Sequence, residues 1–108
     1  MKELQPILND TKWLEIRESM LSLGGLSPVW RSCCTINGHI SAWDGEWFCH
    51  FLDGGFKDIE WVEIRTDFAA QEKAVLRALK VIHVPGTATE NGFKIYGYIK
   101  PGFAIDYL

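Results

Sequence analysis

The sequence predicts an α+β fold, an antiparallel meander sheet with two helices packed on it. Two observations carry this. Two segments, well apart in the chain, repeat apolar residues at helical spacing, and the stretches between and after them are β-rich and broken by Asn-Gly and Asp-Gly turns. Turns this tight join antiparallel neighbours, because parallel strands require long crossovers. A chain of 108 residues with 47% hydrophobic and 23% charged residues has room for one core. The reading is a short tail over 1–8 and a single domain over 9–108.

The first helix begins near Asn9-Asp10-Thr11, where a short polar side chain accepts a bond from the free N–H groups. Trp13, Ile16, Met20 and Leu23 share a face, which Leu14 and Leu21 widen. Gly24-Gly25 supplies a left-handed stop and Pro28 prevents resumption. β-structure follows in "VWRSCCTI", an Asn37-Gly38 two-residue turn, "HISAW", a turn at Asp44-Gly45, "EWFCHFL", a turn at Asp53-Gly54-Gly55, and "IEWVEIR". In "EWFCHFL" both faces are apolar enough to bury, the pattern of a central strand. The second helix spans roughly 67–82 with Thr66 or Asp67 as its cap. Phe68, Val75, Leu79 and Ile82 lie on its buried face, and Lys73, Arg77 and Lys80 on a solvated one. Val84-Pro85-Gly86 ends it. After Asn91-Gly92, Phe93, Ile95 and Ile99 alternate with Lys94, Tyr96, Tyr98 and Lys100, giving one buried face and one wet, aromatic and basic face. "FAIDYL" reads as a last strand.

Charge and cysteines limit the chemistry. The net charge is −3, but residues 44–67 hold Asp44, Glu46, Asp53, Asp58, Glu60, Glu63 and Asp67 against Lys57 and Arg65, a local −5. That field repels a phosphate backbone and favours a basic partner, so nucleic acid is not expected. No apolar run reaches the length of a membrane span, and "MKELQPILNDTKW" lacks the regions of a secretory signal. The expectation is therefore a cytoplasmic protein with reduced cysteines.

No catalytic set, metal site or cofactor is expected. Cys33, Cys34, His39, Cys49, His50 and His83 lack the paired spacings that place two ligands on one side of zinc. Cys49, read as mid-strand among aromatics, has nothing to stabilise a thiolate. Asp58 and Glu60 share a strand face, and Glu63-Ile64-Arg65 resembles the acid-x-base end of metal-dependent nuclease sites. A small metal-dependent hydrolase using these carboxylates is therefore the alternative reading. Charge on an exposed strand face also keeps a sheet soluble and blocks edge pairing. Five tryptophans exceed what one small core requires, which leaves one or two, Trp43 or Trp30, for a binding surface.

The succession "NDTKW", "WDGEWF", "IEWVEI", "IHVPG" and "GFKIYGY" resembles a family of small uncharacterised bacterial proteins over nearly the whole chain. In size, acidity and hairpin-rich build the chain is similar in type to immunity proteins of bacterial toxin systems. That likeness implies a binder that blocks a cognate basic toxin through an acidic, aromatic face. The expected partner-binding residues are Trp43, Asp44, Glu46, Asp53, Glu60 and Glu63. A homodimer formed through an exposed sheet edge is a third reading.

Overall fold

The computed structural model describes residues 3–108. Residues 1 and 2 of the expected tail lie outside the described residues. The remainder of that tail is tied down: β1 (Gln5–Pro6) pairs with β6 (Tyr98–Ile99), and the Ile7 N–H donates to the Gly97 carbonyl.

Helix α1 (Asp10–Ser22) starts where its cap requires, with Asn9 Oδ1 accepting the Lys12 N–H at 2.9 Å. Trp13, Ile16 and Met20 are buried and Leu23 packs against them. Leu14 and Leu21 do not widen the face; both are exposed. Gly24 takes φ +56° at the start of a short 3₁₀ turn, Gly24–Leu26. Helix α2 (Ala69–Ile82) begins two residues later than expected. The Asp67 N–H donates to Gln71 Oε1 at 2.7 Å, so the first turn is held by a reaching glutamine and neither Thr66 nor Asp67 caps it. Phe68 is consequently outside the helix and exposed, while Val75, Leu79 and Ile82 are buried as expected. Lys73, Arg77 and Lys80 are all exposed. His83 ends the helix at φ 64°, and Lys12 Nζ donates to the Ile82 carbonyl at 2.5 Å, joining the two helices.

The main sheet is antiparallel, with strands β2 (Val29–Cys34), β3 (Ile59–Arg65), β4 (Gly86–Thr89) and β5 (Gly92–Tyr96) in the order β2-β3-β5-β4. The α+β class with two helices on an antiparallel sheet is thus the fold of the chain. The β4–β5 turn is Glu90-Asn91, and Thr89 pairs with Gly92. Gly92 is therefore not a turn residue. A Cβ there would stand 1.9 Å from the Ile64 carbonyl oxygen on β3, a distance that only glycine permits.

Three expected strands are absent. "HISAW" makes one isolated bridge to β2, Cys33 to Ile40, and the residue after it makes another, Trp30 to Asp44; the two registers differ by one residue, which interrupts the ladder. Its turn is also longer than two residues, closed by the Gly38 N–H on the Cys34 carbonyl at 2.9 Å. "EWFCHFL" is a loop with a 3₁₀ turn at His50–Leu52. The Glu46 carboxylate accepts the N–H groups of Phe48, Cys49 and His50, taking the donors that a strand would have given to a neighbour. Cys49 is accordingly exposed and not buried mid-strand. "FAIDYL" contributes a single bridge, Tyr107 to Pro85, and no strand.

The core lies between the helices and one face of the sheet, where Val62, Ile64, Phe93, Ile95 and Trp30 meet Trp13, Ile16, Met20, Val75 and Leu79. Phe51 is its hub. Its ring centroid lies 4.7 Å from Trp47, 5.1 Å from Trp30, 5.7 Å from Phe56 and 6.1 Å from Trp13. The buried indoles also find acceptors: Trp47 Nε1 donates to the Pro28 carbonyl at 2.9 Å and Trp30 Nε1 to the Glu46 carbonyl at 3.0 Å. Phe51→Ala should therefore cost about 3–5 kcal/mol in denaturant unfolding. Ile36→Ala, at an exposed loop position, should stay within about 0.5 kcal/mol.

Candidate functional site

The face of the sheet opposite the helices is set by register. Across β2, β3 and β5, Arg31, Glu63 and Lys94 form one row, and Cys33, Trp61 and Tyr96 form the next. Alternation from the buried Val62 and Ile64 sends these to the outer side, where Cys33, bridged to Ile40, is itself buried and the others are partly exposed. The first of these rows alternates in sign, and Arg31 binds Glu63 through Nε at 2.9 Å and NH2 at 2.8 Å. A half-exposed cross-strand pair of this kind contributes at most about 1 kcal/mol, so its main effect is to fix side-chain positions.

Cations also hold the aromatic rings on this face. Trp43, from the irregular segment beside β2, lies under both Arg31 (4.5 Å to the ring centroid) and Arg65 (5.0 Å). Lys94 Nζ stands 4.4 Å from Trp61 and 5.5 Å from Tyr96. Each such contact contributes roughly 0.5–1 kcal/mol at an exposed site and restrains the ring. Trp43 and Trp61 are partly exposed; Trp30, the other tryptophan expected at a surface, is buried in the core. Trp61 was equally legible as core or surface, since its strand has two apolar faces, and only the strand partners decide between them.

Glu60 reaches the outer side by a different route. Cys33 pairs with Trp61 and Cys34 with Ile59, so the register skips Glu60 and forms a bulge. Strict alternation from Val62 would have pointed Glu60 at the core. The bulge instead places it in a cavity of about 350 Å³ whose lining includes Thr87, Tyr96 and Tyr98.

Asp44, Glu46 and Asp53 lie elsewhere, around His50. Because Trp30 faces the core and Asp44 is its bridge partner, Asp44 and Trp43 point to opposite sides of the sheet edge. Asp44 Oδ1 accepts the Glu46 N–H at 2.8 Å, and Asp44 Oδ2 lies 2.7 Å from His50 Nδ1. An ionised carboxylate only accepts, so Nδ1 carries the proton in either charge state of the ring. The N–H of Glu46 holds the Asp44 carboxyl below its ordinary 3.8, with the His50 bond adding to the effect. The N–H groups of His50 and Cys49 hold Glu46 below 4.5, and the hydrogen bond to Asp44, then its charge, lifts His50 above 6.5. The six expected contact residues therefore divide between a loop knot (Asp44, Glu46, Asp53) and the outer sheet face with its cavity (Trp43, Glu60, Glu63).

The carboxylates of the hydrolase reading are dispersed. Asp58 sits in the turn before β3 and lines a different cavity from Glu60, while Glu63 is engaged by Arg31. Asp58 and Glu60 do not share a strand face, since β3 starts at Ile59. Among the described residues, no group of three or more His, Cys, Asp and Glu side chains gathers as a metal site. No described helix is long and apolar enough to cross a membrane.

Two opposite pH dependences meet in the loop knot. The raised His50 value adds stability that is full below pH 6.5 and is lost as pH rises through the folded value. The lowered Asp44 and Glu46 values add stability that is present above 3.8 and 4.5 and is lost as pH falls through theirs. The knot should thus be tightest between pH 4.5 and 6.5. NMR titration of the imidazole should give a midpoint above 6.5, and Asp44→Asn should return it toward the ordinary histidine value.

No curated protein and no solved structure matches the chain. A family model described as a family of unknown function (DUF6678) matches residues 1–102, and the chain belongs to that family.

Proposed function

We propose that the chain is a non-enzymatic protein-binding domain of the immunity or antitoxin type, which neutralises a cognate basic toxin by docking it on the outer face of the sheet. The observation that carries this reading is the two-sidedness of the sheet. One face bears the helices and the core; the other presents Trp43, Trp61 and Tyr96 already positioned by Arg31, Arg65 and Lys94. Aromatic rings fixed before association lose little conformational freedom on binding, which is what anchor residues require.

The loop knot has a separate role. Glu46 and Asp44 spend their oxygens on their own backbone and on His50. Their charge still contributes to the field that draws a basic partner, while direct contacts fall to the sheet face.

Growth rescue tests the reading. The product of a toxin-like neighbouring gene, expressed alone, should arrest growth, and co-expression of this chain should relieve the arrest. Trp43→Ala and Trp61→Ala together should abolish relief at unchanged expression level. Asp44→Asn should mainly slow association, by about threefold to tenfold, and flatten its salt dependence. Absence of relief by the wild-type chain, or full relief by the double variant, overturns the assignment.

A further inference from the structure

The cavity that holds Glu60 is a built feature of the fold. Its floor is the outer sheet face, with Glu60, Thr87 and Tyr96. One wall is β6 and the residue after it, fixed by the Gly97 N–H on the Glu60 carbonyl (2.8 Å) and the Tyr98 hydroxyl on the Lys57 carbonyl (2.6 Å). The facing wall is Phe103–Asp106. A turn from the Phe103 N–H to the Lys100 carbonyl (3.3 Å) holds its start, and the Gly86 N–H on the Asp106 carbonyl (2.9 Å) holds its end. Gly97 permits the close approach: a Cβ there would lie 2.5 Å from the Ile59 carbonyl oxygen.

The lining chemistry selects a ligand class. Three aromatic residues, Tyr96, Tyr98 and Phe103, line the space, and Glu60 and Asp106 contribute two negative charges against Lys100, with Lys94 Nζ 5.5 Å from the Tyr96 ring centroid. Ring faces and carboxylates both favour a cation, and both disfavour phosphate or carboxylate ligands. Glu60 keeps a partner within the chain, so it contributes field rather than an open position. A volume of about 350 Å³ suits one long side chain and is small for a folded segment.

We infer that this cavity receives an arginine or lysine side chain of the protein partner, an inference that rests on the binding reading above for the source of the cation. The cavity shares Tyr96 of its floor with the row of rings on the outer face, so a partner seated on that face has the opening beside it.

The test uses the full ¹⁵N-labelled chain and three small probes: the N-acetyl methylamides of arginine, lysine and citrulline, the last a neutral isostere of arginine. Arginine or lysine should produce saturable amide shifts confined to residues 60, 87, 96–100 and 103–106, with an affinity at least about tenfold above that of citrulline. Glu60→Gln and, separately, Asp106→Asn should each weaken this about threefold or more, with spectra otherwise unchanged; Asp106 is exposed and its substitution leaves the fold intact. Tyr96→Leu, which keeps bulk but removes the ring face, should lower the cation preference. Shifts that match those of citrulline, that spread over the molecule, or that persist in both carboxylate variants overturn the inference. The two readings fail separately. Blank titrations alongside growth rescue remove the cavity and keep the binding function. Cation binding without rescue keeps the cavity as a small-cation site and removes the partner.

Discussion

The fold depends on what the Glu46 carboxylate does with three consecutive N–H groups. By accepting from Phe48, Cys49 and His50 it turns a segment with every composition mark of a strand into a 3₁₀ turn. That turn drives Trp47 and Phe51 into the same space while Phe48, Cys49 and His50 face water. Phe51 can then touch rings from α1, from β2 and from its own loop at once, so one side chain couples the helix layer, the sheet and the irregular segment. Arg17 reinforces the turn from α1, its guanidinium donating to the Trp47 and Phe48 carbonyls and lying over the Phe48 ring. A carboxylate that is only partly exposed thus organises Trp47 and Phe51, which are almost wholly buried.

The consequence reaches the far side of the sheet. With the loop anchored to β2 through Trp30, the preceding residues must run along the edge of β2, and alternation at that edge sends Asp44 inward and Trp43 outward. Trp43 then lies against the outer face, over Arg31 and Arg65. The same segment covers the β2 edge, while Tyr107 and Leu108 engage the chain just before β4. The outer face between them is partly exposed, and its contents follow from register alone: Arg31, Glu63 and Lys94 in one row, Trp61 and Tyr96 in the next.

What the sequence disclosed tracks the range of the interactions involved. The start of helix α1 and its central buried residues were legible because Asn9 and the 3.6-residue spacing of Trp13, Ile16 and Met20 are local signals, although Leu14 and Leu21 fall outside the buried face. The alternation of Phe93 and Ile95 with Lys94 and Tyr96 was equally plain. The start of α2 was not, since Gln71 acts as its own distant cap and also donates to the Leu26 and Ser27 carbonyls, neighbours 45 and 44 residues away in the chain. "EWFCHFL" misled because β-propensity counts side chains and is blind to a carboxylate that competes for backbone donors. The site was legible as a list of residue types and not as an arrangement. Glu60 required the bulge opposite Cys33 and Cys34, and Tyr96 acquires meaning only beside Trp61.

Residues 44–67 also show why net charge and contact chemistry have to be argued separately. Seven acids against two bases in one segment suggests a single acidic surface. In the folded chain Glu63 is neutralised by Arg31, Asp67 lies 3.6 Å from Arg65, Asp44 is bonded to His50, and Glu46 is saturated by its own backbone. The backbone donors leave the charge of Glu46 in place while occupying its oxygens, whereas Arg31 cancels the charge of Glu63 as well as engaging its carboxylate. A partner that has come within about a Debye length, roughly 8 Å in physiological salt, responds to the sum; a partner in contact meets what is left exposed. On the outer face, what is left is aromatic, and the cations that lie over the rings decide where those rings point before any partner arrives.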